Sequence, residues 1–252
     1  DLGYEGFRYD MVKGFAASHV GDYNDATGIK FSVGEYWDGV GNIKNWINNT
    51  GEKSGAFDFP FHYNMTNAIK YNDWRKLNDA SLMSDPSYRR YAITFVENHD
   101  IQVREDNSNE GSKDPIPTTY IPAANAFLIA MPGTPCIFQP HWKAYEHELK
   151  SMIEARKLVG ITNTSSYSNY ANKKEYFANA VNGTNGRKLL IVVGIPSMMT
   201  NPSKTEYTRI LSGKNYMYYL SNNSETAWAD KSSGEYEEGF KVALTLQPAA
   251  HR

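Results

Sequence analysis

Short apolar runs alternate with stretches of helical period through the first 160 residues of the chain. The runs GFRYD (6–10), FSVGEYW (31–37), GAFDFPF (55–61), AITFVEN (92–98) and GTPCIFQ (133–139) read as strands. Between them the pattern predicts helices near 13–19, 41–48, 64–78, 120–131 and 144–159. In the last of these, Tyr145, Leu149, Met152, Ile153 and Val159 recur at helical spacing, and Gly160 is placed to stop it. Strand followed by helix, repeated, means parallel strands joined by crossovers, so five such units predict an α/β architecture, either a barrel or a doubly wound sheet.

Beyond residue 162 the pattern changes. The runs EYFANAV (175–181), KLLIVVGI (188–195), TRILSG (208–213), NYMYYLS (215–221) and FKVALTL (240–246) lie in sequence rich in Tyr, Asn, Ser and Gly, with turn signals such as NGTNG between them. This predicts a small antiparallel β-sandwich domain over 163–252 behind an α/β part over 1–162.

Composition narrows the function classes. With 26 basic and 28 acidic residues the net charge is −2, which gives no electrostatic basis for nucleic acid as a partner. No apolar run approaches the ~20 residues that a membrane span needs. The single cysteine, Cys136, lies in the apolar run GTPCIF and is expected to be a small buried hydrophobe; a disulfide within the chain is impossible. Aromatic residues make up 13% of the chain, many in Asn- and Gly-rich sequence, where a flat apolar face with a polar edge suits sugar stacking as well as packing.

Three of the five α/β strands carry a carboxylate at or near their ends: Asp10 after GFRY, Glu35 in VGEYW and Asp100 in FVENHD. In a parallel barrel all C-terminal strand ends meet at one mouth, so these acids would converge although 25 and 65 residues separate them in sequence. Paired carboxyl groups are the equipment of glycoside hydrolysis. Taken singly, each has an ordinary structural reading: Arg8–Asp10 as a surface ion pair, Glu35 as an exposed strand residue, and NHD as a turn or helix cap.

Taken together, GFRYDMVKGF, VGEYW and FVENHD resemble, in order, the fourth-, fifth- and seventh-strand motifs of the α-amylase family, glycoside hydrolase family 13. AFDFPFHYNM is similar to its sixth strand and MPGTPCIF to its eighth, in wording nearest to plant-type α-amylases. The resemblance covers residues 1–160 and implies strands four to eight of a TIM (β/α)8 barrel followed by the family's C-terminal sandwich. It implies Asp10 as nucleophile, Glu35 as general acid and base, and Asp100 as the residue that binds the distorted sugar. Arg8 would keep Asp10 ionised, His99 would donate beside Asp100, and Lys13, Trp37 and Asn98 are candidates for substrate contact. Lys13 reads equally well as a solvated residue at a helix start, and Trp142 and Tyr145 as either a sugar platform or packing.

The resemblance further implies calcium, with the carbonyl of Gly14 as one ligand and the others ahead of this chain. The acidic stretch 104–114 reads as a solvated loop rather than a second calcium site. Counted by the same resemblance, the chain enters just before strand four. An N-terminal barrel half, in the same or a complementary chain, is therefore an expected partner alongside an α-glucan substrate. After the eighth-strand motif the text runs FQPHWKAYEHE, without the acid that many relatives place there. The resulting expectation is retaining endo-hydrolysis of α-1,4-glucosidic bonds in starch-like glucans. An α-1,6-glucosidase or transglycosylase on the same scaffold, or an inactive carbohydrate-binding protein, stand as alternatives. Starch is too large to import, so a secreted or envelope-associated location is expected.

Overall fold

The computed structural model describes residues 3–102 and 115–222. Its first half is a five-stranded parallel sheet of β1 (Gly6–Tyr9), β2 (Phe31–Gly34), β3 (Gly55–Phe57), β4 (Ala92–Thr94) and β5 (Thr134–Pro135). The strands lie side by side in chain order, each pairing parallel with the next, for example Tyr9 with Gly34 and Phe57 with Ile93. An order without reversal is the winding of a barrel, since a doubly wound sheet must change direction at a switch point. β1 and β5 form the two edges of this sheet among the described residues.

Five helices accompany the strands: α1 (Ser18–Thr27), α2 (Val40–Asn49), α3 (Phe59–Lys70), α4 (Ile121–Ala130) and α5 (Gln139–Val159). The expected helix at 13–19 is instead a 3-10 turn over Val12–Gly14, with α1 starting at Ser18. The run GAFDFPF is strand only as far as Phe57. Asp58 accepts the N–H of Phe61 and Pro60 occupies the first turn, so cap and proline together start α3 there. α5 begins before the expected residue 144 and has non-helical backbone at Tyr145, which joins a short first segment to the long amphipathic one. Gly160, at φ 76°, closes it in the left-handed conformation that glycine adopts without strain.

The second half is an antiparallel sheet of β6 (Tyr167–Asn172), β7 (Tyr176–Asn182), β8 (Lys188–Gly194), β9 (Tyr207–Gly213) and β10 (Tyr216–Ser221), in the order β6-β7-β8-β10-β9. β6, with sequence YSNYAN, has no apolar alternation and mostly exposed side chains, so the hydrophobic pattern passes over it. The expected strand FKVALTL (240–246) lies outside the described residues, as does the acidic stretch 104–114.

One apolar core runs through both halves, from Ile43, Trp46 and Ile47 of α2 through α4 to Leu189, Ile191 and Val193 of β8. α4 is buried around most of its circumference, packed between α5 and β8, which explains its nearly uniform apolar sequence. Leu190 and Val192 face the other way, into a second cluster with Ala178, Ala180, Met199 and Tyr219. No helix of the described residues is long and apolar enough to cross a membrane.

Candidate active site

The parallel register sets the site. Tyr9 pairs with Gly34, and the N–H of Glu35 donates to the carbonyl of Tyr9 at 2.9 Å, so Asp10 and Glu35 leave adjacent strands at the same level. Gly34 is needed there because a Cβ would collide with the ring of Trp46 from α2. Arg8 bridges the two acids: its guanidinium lies 2.6 Å from Asp10 Oδ1 and 3.3 Å from Glu35 Oε2. Met11 turns the chain at φ 40°, a left-handed conformation rare outside glycine, and its N–H donates to Glu35 Oε2 at 3.1 Å. A left-handed non-glycine residue costs about 1 kcal/mol, and here it aims a backbone donor at a carboxyl group.

The two acids are shifted in opposite directions. Asp10 is largely exposed, and its hydrogen bond with Arg8, then its hydrogen bond with Glu35, hold its carboxyl below the ordinary range. Glu35 is buried, with a side chain only 8% exposed, and burial pushes its carboxyl up, reinforced by Asp10 and opposed by the Met11 N–H and by Arg8. A carboxyl group shifted down thus stands beside one shifted up.

Asp100 and His99 lie on the turn beyond β4. His99 Nε2 is 3.4 Å from Asp100 Oδ2, and the charge of a protonated His99 also lowers Asp10. Asn98 Oδ1 accepts the N–H groups of Asp100 and Ile101 at 3.1 Å each, so it shapes this turn. Lys13 is engaged by Asp38 at 2.7 Å and lies over the ring of Tyr36. Trp37 stacks on Phe59 with ring centroids 4.7 Å apart and donates its indole N–H to the hydroxyl of Tyr63 at 2.7 Å. Trp142 and Tyr145 pack partly buried against the core, and the Tyr145 hydroxyl donates to the carbonyl of Thr118.

Cys136 is not a core residue as its apolar neighbours imply: it is exposed, because β5 is an edge strand and nothing described lies beyond it. Gly14 ends the 3-10 turn after Met11. Among the described residues no three His, Cys, Asp or Glu side chains gather to hold a metal.

Two buried acids at strand ends go beyond the sequence reading. Asp58 is fully buried and accepts the N–H groups of Phe61, Leu82 and Met83, while burial pushes its pKa up to about 6. Glu97 pairs with His141 at 2.7 Å. The available signal was an acid inside an apolar run, in AFDFP and TFVEN, since an acid is almost never buried without partners.

No protein-family model matches the chain. It is 28% identical over 238 residues to "Probable alpha-amylase 2" of Arabidopsis thaliana, covering 85% of this chain and 54% of the relative. It is 26% identical over 263 residues to the "Glucan 1,4-alpha-maltotetraohydrolase" of Stutzerimonas stutzeri, with 97% of this chain and 46% of the relative covered. To the "Alpha-amylase" of Bacillus licheniformis it is 30% identical over 178 residues, 62% of this chain and 33% of that one. The chain thus spans about half the length of the first two of these relatives and less of the third. Among solved structures, AmyP in complex with maltose aligns with TM-score 0.61 at 14% identity, covering 87% of this chain and 64% of that chain. An Anoxybacillus alpha-amylase aligns with TM-score 0.60 at 14% identity, over 87% of this chain and 59% of that chain, and both likenesses speak for the fold. With its motifs in order on a singly wound parallel sheet, the chain is similar in sequence to α-amylases and maltotetraohydrolases and shares its fold with solved amylases.

Proposed function

We propose that this site hydrolyses α-1,4-glucosidic bonds of starch-like glucans with retention of configuration. The observation that carries the reading is the Asp10–Glu35 pair, spanned by the Arg8 guanidinium at 2.6 and 3.3 Å and shifted in opposite directions. Two carboxyl groups held on one guanidinium suit the close pairing of a retaining mechanism, in which the second acid is the nucleophile. Asp10 attacks the anomeric carbon as Glu35 gives its proton to the departing glycosidic oxygen. The result is a glycosyl ester on Asp10 and an ionised Glu35. Glu35 then takes a proton from water, whose oxygen attacks the anomeric carbon and releases Asp10 as carboxylate. Arg8 keeps Asp10 charged and aimed before the attack and receives it again as carboxylate when the ester is cleaved. Asp100 and His99 hold sugar hydroxyls as the ring distorts, and Trp37 stacks against a sugar ring. The substrate class is supported by the amylases and maltotetraohydrolase that this chain resembles.

The test is an assay of the complete polypeptide on soluble starch. Asp10→Asn and Glu35→Gln are each expected to lower kcat by about 1000-fold or more. Undiminished activity in either variant refutes the assignment. Release of reducing ends from amylose but not from pullulan is expected for α-1,4 cleavage, and the reverse assigns the site to α-1,6 bonds.

A further inference from the structure

We propose that Glu97 and His141 are a buried positioning pair that fixes where the Asn98–His99–Asp100 turn presents Asp100 to the sugar. The inference rests on the glycosidase reading of the site. Both side chains are 3% exposed, and His141 Nε2 lies 2.7 Å from Glu97 Oε2. The tautomer follows from the other ring nitrogen. Asn125 Nδ2 donates to His141 Nδ1 at 3.1 Å, so Nδ1 accepts and Nε2 carries the proton that Glu97 receives. The second Glu97 oxygen accepts the N–H of Ile116 at 2.9 Å.

The placement of these groups connects them to Asp100. Glu97 immediately precedes Asn98, whose side chain holds the N–H of Asp100. His141 stands in the first turn of α5, just beyond β5, so the pair ties the ends of two neighbouring strands together beneath the turn. A continuous line of hydrogen bonds and covalent neighbours runs from α4 through His141, Glu97 and Asn98 to Asp100.

Stability alone does not account for this arrangement. Asn125 is the one polar side chain of α4, fully buried in an otherwise apolar helix, and its Oδ1 has no partner. An orphaned buried acceptor costs stability, and a carboxylate buried against a neutral imidazole carries a desolvation cost that apolar residues in its place would not. Such a network supplies a single fixed geometry, and a misplacement of 1 Å at a reacting centre can lower the rate about 100-fold.

The experiment uses the complete polypeptide and an aryl maltooligoside with a good leaving group, so that slow variants stay measurable. Glu97→Gln is expected to lower kcat by about 100-fold with KM changed less than about threefold, because Asp100 acts on the distorted sugar. In an Asp100→Asn background the same change is expected to cost less than about threefold, because the residue it positions is already gone. His141→Gln, which still offers an N–H to Glu97, should retain most of the kcat that His141→Leu loses. Thermal unfolding of each variant separates a lower kcat per folded molecule from a smaller folded fraction. Equal fold-losses from Glu97→Gln with and without Asp100, or a kcat per folded molecule that does not move, overturn the proposal. If Asp10→Asn remains active, the glycosidase reading itself falls. If Asp10→Asn is inactive while Glu97→Gln and His141→Leu are not, only the positioning pair falls.

Discussion

The parallel strands of this chain are two to four residues long, whereas the antiparallel ones run six or seven. The short strands stop early and give way to acids: Asp10 after β1, Glu35 after β2, Asp58 after β3, and the Glu97–Asp100 stretch after β4. The long strands have the opposite pattern. β8 has six of its seven residues buried, Leu189, Ile191 and Val193 toward the helices and Leu190 and Val192 toward the far face. One sheet ends where chemistry begins, and the other continues for as long as it has apolar surface to cover. Substitutions in the two should therefore separate activity from stability.

The largest contrast lies between Asp10→Asn and Ile191→Ala, made in the complete polypeptide. Asp10 is largely exposed and contributes little packing, so its loss of about 1000-fold or more in kcat should leave the unfolding midpoint in denaturant nearly unchanged. Ile191 is fully buried in the shared core, and truncation to Ala should cost about 3 kcal/mol of stability. Its kcat per folded molecule should equal that of the unsubstituted protein. A change in kcat from Ile191→Ala would show that the sheets are coupled through α4 rather than divided in task.

Titration gives a smaller and more diagnostic effect. The proposed mechanism needs Asp10 ionised and Glu35 protonated. Asp10 is held below the ordinary carboxylate range, so activity should fall only on acidification below that range. Glu35 is held above it, so activity should fall as pH rises through that raised value. Outside these limbs kcat/KM drops about tenfold per pH unit. Arg8 lowers both acids, first among the causes for Asp10 but behind burial, the Met11 N–H and Asp10 for Glu35. Arg8→Gln should therefore move both limbs of the kcat/KM profile to higher pH. Because the acids interact, the limbs belong to the pair. A shift of one limb alone would mean that Arg8 serves only one of them, and no substitution in the antiparallel sheet should move either limb.

The same contrast decides how much of the molecule could be read from its sequence. The catalytic candidates were legible because each acid ends an apolar run, and parallel winding turns strand ends into neighbours. Strand lengths were not, because runs such as FSVGEYW and AITFVEN stay apolar beyond the last ladder residue: Phe95 and Val96 are buried in the core without pairing. β6 was invisible because its side chains are polar and its membership of the sheet rests on backbone pairing with β7. Cys136 was misjudged because an apolar neighbourhood in sequence says nothing about whether a further strand covers it. Asp58 and Glu97 were passed over for the converse reason: their partners, Leu82, Met83 and His141, come from elements that only the fold brings close.

The smallest effect tests whether the antiparallel sheet reaches α4 through polar contact as well as packing. Tyr218 is fully buried on β10, and its hydroxyl donates to the carbonyl of Ala126 at 2.6 Å. Burial drives its pKa well above the ordinary tyrosine value, so it stays a neutral donor across the working pH range. Ala126 follows Asn125, so this bond touches the helix one residue from the network behind Asp100. Tyr218→Phe keeps the ring and removes only the donor, and should cost about 1 kcal/mol. If α4 is held mainly by its apolar surface, kcat stays unchanged and the division between the two sheets stands. If kcat falls while the pH limbs stay fixed, the hydroxyl helps to set the position of α4, and the boundary between scaffold and site runs through that helix.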